Sequence, residues 1–265
     1  MKFILFLIII IVAVMLTLET IYNNLIFYPT KDFNSSPQDE GINCEEVFIK
    51  TTDGETLHGY FFPAGEKTNK VMLYLHGNAQ NVSMWYLAPV EIQKHVPVNA
   101  LLVDYRGYGK STGKPTVEGV IKDALAMYKY LIDRGFKPED ISLYGRSIGG
   151  AIALELANKV KVKSIVLQST FTSLQDIASE LYPLVPNLLL PKNIWNSKEL
   201  IKKINSPILI SHGDKDEIVH VNHSYKLYEL ANEPKKLLIL KGATHNDISS
   251  YFNEEYFEAL REIFL

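Results

Sequence analysis

One cysteine, Cys44, is all that 265 residues contain. No intramolecular disulfide can form, and no thiolate cluster can hold zinc or iron and sulfur. The chain also lacks a charge bias. Lys and Arg number 27 against 30 Asp and Glu, for a net charge of −3, and the two signs are scattered. That excludes the basic stripe of a nucleic-acid-binding domain and gives no reason to expect a polyanionic partner. Internal repeats and low-complexity tracts are missing beyond the N-terminus. What is present, 47% hydrophobic and 22% charged residues, is an ordinary globular composition. It suffices for one large domain with a well-buried core.

The N-terminus departs from the ordinary. Phe3 to Leu18 reads FILFLIIIIVAVMLTL, with Lys2 before it and Glu19 after it. As a helix this run spans about 24 Å, a little short of the hydrocarbon core. Lys2 can snorkel, and Thr20, Ile21 and Tyr22 can extend the run into the interface. It lacks an A-x-A-like site between Met15 and Asn23, which disfavours a cleaved signal peptide. It is apolar on every face, which disfavours a core helix of a soluble domain. The expectation is an uncleaved membrane anchor over residues 1–22, a single transmembrane helix. Lys2 inside places residues 23–265, the catalytic domain, on the non-cytoplasmic side.

After the polar stretch Asn34–Gly41, short apolar runs alternate with helix-length stretches. Glu46–Lys50 and Leu57–Phe62 read as two strands joined by the turn Thr52-Asp53-Gly54. Val71–Leu75, Ala100–Val103, Ile141–Tyr144, Ser164–Leu167, Pro207–Ile210 and Lys236–Leu240 are nearly continuous apolar runs, as buried parallel strands require. Val117–Arg134, Ile148–Asn158, Ser224–Ala231 and Ile248–Phe264 are the helical intervals. This alternation predicts an α/β domain with a mostly parallel sheet flanked by helices. It is broken between Gln168 and Pro207, where an apolar segment carries Pro183, Pro186 and Pro191. A small helical cap over the strand ends, about residues 171–205, is expected there.

In such sheets, reactive groups gather beyond the carboxyl ends of the strands. Gly145-Arg146-Ser147-Ile148-Gly149-Gly150 follows one strand. A G-x-S-x-G sets a nucleophile on a sharp strand-to-helix turn, the glycines letting the helix lie close to the strands. Serine needs a base, and the base an orienting carboxylate. His212-Gly213-Asp214-Lys215-Asp216 follows a later strand, and Thr244-His245-Asn246-Asp247 the last one. The chain order Ser, Asp, His is that of an α/β-hydrolase. His76-Gly77-Asn78-Ala79 follows the strand Val71–Leu75; its loop can offer a main-chain N–H to an oxyanion, and Ile148 a second one.

From about Asn24 to its end, the chain resembles the α/β-hydrolase superfamily, and within it the membrane-anchored Bem46-like, ABHD-type branch. Tyr28-Pro29, His76-Gly77-Asn78-Ala79, Asp104-Tyr105-Arg106-Gly107-Tyr108-Gly109, Gly145–Gly150, Phe171-Thr172-Ser173-Leu174, His212–Asp216 and His245-Asn246-Asp247 carry the resemblance. It implies Ser147 as nucleophile, Asp216 as acid by the pattern H-G-x-x-D, and His245 as base. The N–H groups of Asn78 and Ile148 would form the oxyanion hole, and no cofactor or metal is needed. Ala243-Thr244 departs from the family in standing where glycine often precedes the histidine. The reaction implied is cleavage of an acyl ester, thioester or lipid-like ester through an acyl-enzyme. A serine peptidase of the same fold and a non-catalytic membrane-bound binding protein are the alternatives.

The neighbouring residues have plainer roles. Asp214, separated from Asp216 only by Lys215, is the rival for the acid and is otherwise expected to cap its loop; Asp247 is expected to cap the helix at Ile248, and Asp104 to organise the turn Tyr105–Gly109. His76 is expected to shape the oxyanion loop. His220 and His223 read as exposed residues at a helix start. Arg146 could bind a substrate carboxylate or form a local salt bridge. Gly107-Tyr108-Gly109-Lys110-Ser111 is no phosphate loop, because Asp104 occupies the position of its first glycine.

Overall fold

A computed structural model describes residues 23–33, 35–65, 67–184 and 193–265. The anchor predicted for residues 1–22 and residues 185–192 of the predicted cap lie outside them. Among the described residues no helix is long and apolar enough to cross a membrane.

Eight strands form the central sheet: β2 (Glu45–Lys50), β3 (Thr56–Phe62), β4 (Val71–Leu75), β6 (Asn99–Val103), β7 (Ile141–Arg146), β8 (Ser164–Gln168), β9 (Ile208–Gly213) and β10 (Lys235–Leu240). Their order is β10-β9-β8-β7-β4-β6-β3-β2. All neighbours are parallel except β2–β3 and β3–β6. Strands β4, β6, β7 and β8 are buried throughout, because helices cover both faces and every side chain needs an apolar neighbour. The edge strand β2 alternates instead: Val47 and Ile49 point inward, while Glu45, Glu46 and Lys50 are exposed. Charges of this kind on an edge oppose pairing with a further strand. A second, two-stranded parallel sheet joins β1 (Tyr28–Pro29) to β5 (Ala79–Gln80).

Helix α3 (Val117–Asp133), α4 (Ile148–Ala157) and α7 (Asn222–Leu230) pack on one face, over Val71, Leu73 and Leu75 of β4. Helix α1 (Val82–Trp85), α2 (Leu87–His95) and α8 (Glu254–Phe264) pack on the other, over Met72 and Tyr74. Helix α4 is apolar on nearly every side and almost wholly buried, the mark of a core helix. Two helices, α5 (Leu174–Leu181) and α6 (Ser197–Leu200), lie in the region predicted as a cap.

The chain runs from β4 to β6 on one side and returns to β7 on the other. The gap beyond the carboxyl ends of β4 and β7 is therefore a topological switch point, where such sheets hold their ligands. Leu75 stands level with Gly145 across it. The predicted helix Ile248–Phe264 is divided: a 3₁₀ turn spans Ile248–Tyr251, and Asn253 caps α8 by accepting from the Tyr256 amide. Helices α1 and α2 were not expected from sequence.

Candidate active site

Ser147 sits between β7 and α4 with φ 55° and ψ −119°. That conformation costs a non-glycine residue about 1–3 kcal/mol and persists only where the surroundings enforce it. Here the Ser147 amide donates to the Gln168 carbonyl of β8 at 2.8 Å, and the Gly150 amide to the Ser147 carbonyl at 3.0 Å. The glycines are required by close approach. A Cβ on Gly145 would run into the Gly149 carbonyl, one on Gly149 into the Leu75 carbonyl, and one on Gly150 into Thr170 Oγ1. The same contacts bring the start of α4 against the loop after β4. The Ile148 amide heads a ten-residue helix, so it and the helix dipole favour negative charge beside Ser147.

The loop His76–Ala79 is held at three carbonyls. Tyr105 Oη donates to the His76 carbonyl at 3.2 Å, His76 Nδ1 to the Gly77 carbonyl at 2.8 Å, and Tyr108 Oη to the Asn78 carbonyl at 2.6 Å. The Gly77 carbonyl belongs to the peptide whose N–H is that of Asn78. A trans peptide directs its N–H opposite its carbonyl, so His76 fixes where the Asn78 N–H points. Burial lowers the pKa of His76 to about 4, which keeps the ring neutral. His76 thus shapes the loop, as expected. The Asp104 side chain does not hydrogen-bond the turn after it: its Oδ1 accepts from the Val82 amide at 2.8 Å and ties down the start of α1, while its Oδ2 lies against Gly109 and the Asp104 carbonyl accepts from Ser111 Oγ at 3.0 Å. Burial raises its pKa well above the ordinary carboxyl range.

Asp216 follows β9 and His245 follows β10. His245 Nδ1 donates to Asp216 Oδ2 at 2.7 Å, which leaves Nε2 as an acceptor. The other oxygen, Asp216 Oδ1, accepts from the Ile218 and Val219 amides at 3.0 and 2.8 Å. Burial alone would raise the Asp216 pKa, but the neighbouring His212 and His245 side chains and the Val219 amide outweigh it and hold the carboxyl well below its usual range. Among the described residues, Ser147 and His245 form no hydrogen bond with each other.

Some side chains take roles that the sequence did not signal. His212 is buried behind Asp216: its Nε2 donates to the Val219 carbonyl at 2.7 Å and lies 3.2 Å from Asp216 Oδ2, while Ser224 Oγ donates to Nδ1 at 2.6 Å. The Val219 carbonyl only accepts, so the hydrogen must be on Nε2. Trp85 lies beneath Arg146, whose guanidinium is 4.9 Å from the indole centroid. Arg146 Nη2 donates to the His245 carbonyl at 2.5 Å. Arg146 is only 8% exposed and forms no salt bridge among the described residues. Instead it ties the serine turn to the histidine loop across β8 and β9.

Asp214 Oδ1 accepts from the Gly242 amide at 2.6 Å, bracing its loop against the one after β10. Asp247 does not cap a helix: its Oδ1 accepts from the Thr244 amide at 2.7 Å and closes a turn around His245. His220 is exposed, but His223 is buried. His223 Nδ1 accepts from the Thr172 amide at 3.1 Å, and Nε2 lies 3.1 Å from Glu180 Oε2. These contacts pin α5 to α7. No group of three or more His, Cys, Asp or Glu side chains among the described residues is placed to hold a metal ion.

The chain is similar to other proteins in sequence and in fold. A family profile described as alpha/beta hydrolase fold matches residues 70–190. Protein bem46 of Schizosaccharomyces pombe is 30% identical over 258 residues, covering 91% of this chain and 85% of that one. The YfhR protein of Escherichia coli is 31% identical over 250 residues, covering 90% and 84%. Among solved structures, an esterase of Pyrococcus furiosus superposes with a TM-score of 0.71 at 25% identity, covering 90% of this chain and 97% of that one. The chain belongs to the α/β-hydrolase fold family, in its Bem46-like branch.

Proposed function

We propose that the protein is a membrane-anchored serine hydrolase that cleaves carboxylic acyl esters or thioesters. The observation that carries this reading is the Asp216–His245 hydrogen bond of 2.7 Å, on a sheet whose strand β7 ends in Ser147 on a positive-φ turn at a helix N-terminus. The likeness to an esterase supports the ester class, and the apolar run Phe3–Leu18 supports the anchor. In this reading the domain lies on the non-cytoplasmic side.

His245 Nε2 takes the proton of Ser147 Oγ as the oxygen attacks the acyl carbonyl carbon. The carbonyl π pair moves to oxygen, and the resulting oxyanion accepts from the Asn78 and Ile148 amides. Asp216 stabilises the imidazolium without taking its proton. The C–O or C–S bond to the leaving group breaks, and His245 protonates that group. His245 then deprotonates a water, which attacks the acyl-enzyme. Collapse of the second oxyanion releases the carboxylic acid and returns the proton to Ser147.

Full-length protein in detergent, assayed on p-nitrophenyl esters of increasing chain length beside Ser147→Ala, tests the reading. Turnover by the wild type that disappears in the variant is expected. Equal hydrolysis by both proteins would overturn it.

A further inference from the structure

Among the described residues, five of the twelve exposed large apolar side chains fall in two short stretches, Leu25–Tyr28 and Leu181–Leu184, that lead to and from the carboxyl-end loops of the sheet. Tyr28 is 51% exposed and Leu25 49%; across from them Leu181 is 49%, Tyr182 43% and Leu184 96% exposed. Tyr28 joins the two groups. Burial first, and then Tyr182, raise its pKa. Tyr28 also borders the oxyanion loop: its amide donates to Asn78 Oδ1 at 3.1 Å, and β1 pairs with β5 immediately after Asn78.

Soluble proteins seldom leave such side chains together in water, and the exceptions mark contact surfaces. What covers this one follows from the chain itself. The apolar run ends at Leu18, only seven residues before Leu25. Seven residues span at most about 24 Å even when fully extended. If Phe3–Leu18 is inserted, Leu25 and Tyr28 cannot stand far above the headgroups. The residue types fit: tyrosine favours the interfacial layer, its ring among acyl carbons and its hydroxyl in water, and leucine reaches below it. The opposite side of α5 is tied to the domain by Thr172 and Lys198 on Asp176, at 2.6 and 2.7 Å, and by Glu180 on His223. Leu181, Tyr182 and Leu184 extend from this fixed base.

We propose that the rim formed by Leu25, Tyr28, Leu181, Tyr182 and Leu184 docks on the lipid bilayer, so that the mouth of the site opens at the membrane interface and admits lipid-borne acyl groups directly. This rests on the membrane-anchored reading above. The Ser147 chemistry can be read independently of it.

The test uses full-length protein in phosphatidylcholine vesicles. With Cys44→Ser as background, single cysteines replace Leu25, Leu184 and, as a control, Leu265, and each carries an environment-sensitive NBD label. Leu265 is 48% exposed and its carbonyl accepts from Lys163, just before β8, so it marks the opposite end of the strands. Expected are blue-shifted emission at 25 and 184 and quenching by doxyl-labelled lipid several-fold stronger than at 265. Quenching at 25 and 184 no stronger than at 265 would overturn the proposal. So would failure of the protein to co-float with vesicles, or a blue shift without lipid quenching, which would mean that protein rather than lipid covers the rim. Fluorophosphonate labelling of Ser147 in the same vesicles separates the two readings. Labelling without quenching removes the rim and keeps the hydrolase, and quenching without labelling does the reverse.

Discussion

Replacing Asp216 by asparagine separates charge from shape at the proposed acid. Two Oδ1 contacts, from the Ile218 and Val219 amides at 3.0 and 2.8 Å, require an acceptor; the asparagine oxygen supplies one. Its NH₂ group then takes the place of Oδ2, facing His245 Nδ1 at 2.7 Å and His212 Nε2 at 3.2 Å. His212 cannot accept there, because its Nε2 hydrogen is committed to the Val219 carbonyl. His245 escapes the donor-to-donor clash only by moving its proton to Nε2, the atom that must accept from Ser147. Loss of the base tautomer and of the stabilising charge lowers kcat by roughly 10³–10⁴, about 4–5.5 kcal/mol. Asp214→Asn is the control. Among the described residues the Asp214 side chain accepts from the Gly242 amide alone, asparagine can do the same, and the loss should stay within roughly tenfold. Initial rates on p-nitrophenyl butyrate, with melting followed by circular dichroism, measure both. A folded Asp216→Asn that keeps more than roughly a tenth of wild-type kcat, or the reverse ranking of the two variants, would refute the reasoning.

Three further outcomes follow from the same contacts. Arg146→Leu removes the tie to the His245 carbonyl and should lower kcat by about 10–100-fold with KM nearly unchanged, Arg146→Lys recovering part of the loss; steady-state kinetics on a soluble ester check this. Gly149→Ala drives a methyl into the Leu75 and His76 carbonyls and should destabilise by about 3 kcal/mol or more, a drop in Tm of at least about 6 °C; Gly65→Ala, which meets nothing within 4 Å, should leave Tm unchanged. Because the folded state holds the Asp216 carboxyl below its usual range, its contribution to stability is complete above about pH 4 and is lost as pH falls through the folded pKa. The Tm of Asp216→Asn should therefore fall less steeply below pH 4 than that of the wild type.

The central strands were legible because burial on both faces writes a continuous apolar run into the sequence: Val71–Leu75 was read with its observed bounds. Boundaries slipped where strands continue into the site, as with Gly145 and Arg146 in β7 or Ser211, His212 and Gly213 in β9, since functional residues there replace apolar ones. Helices α1 and α2 left little trace. The first is one turn, and the second has Pro89 in its opening turn and buries only Pro89 and Ile92, too few positions for a stripe. The glycine-flanked serine, the two acidic candidates and the histidine were visible as motifs at strand ends. The roles of His212, Trp85 and Arg146 were not, because they depend on contacts between segments far apart in sequence. His223 was misread as exposed for a related reason: it is covered by Thr172 and by Glu180 of α5, which stand 51 and 43 residues earlier.

The central claim is that Ser147 is a nucleophile, and the most direct measurement is the site of covalent capture. Full-length protein would be treated with a fluorophosphonate, digested with trypsin and mapped by mass spectrometry. The account predicts one adduct, on the peptide Ser147–Lys159 that begins at the serine itself, and none in Ser147→Ala. An adduct elsewhere that survives in Ser147→Ala, or no adduct on the folded wild type, would contradict it.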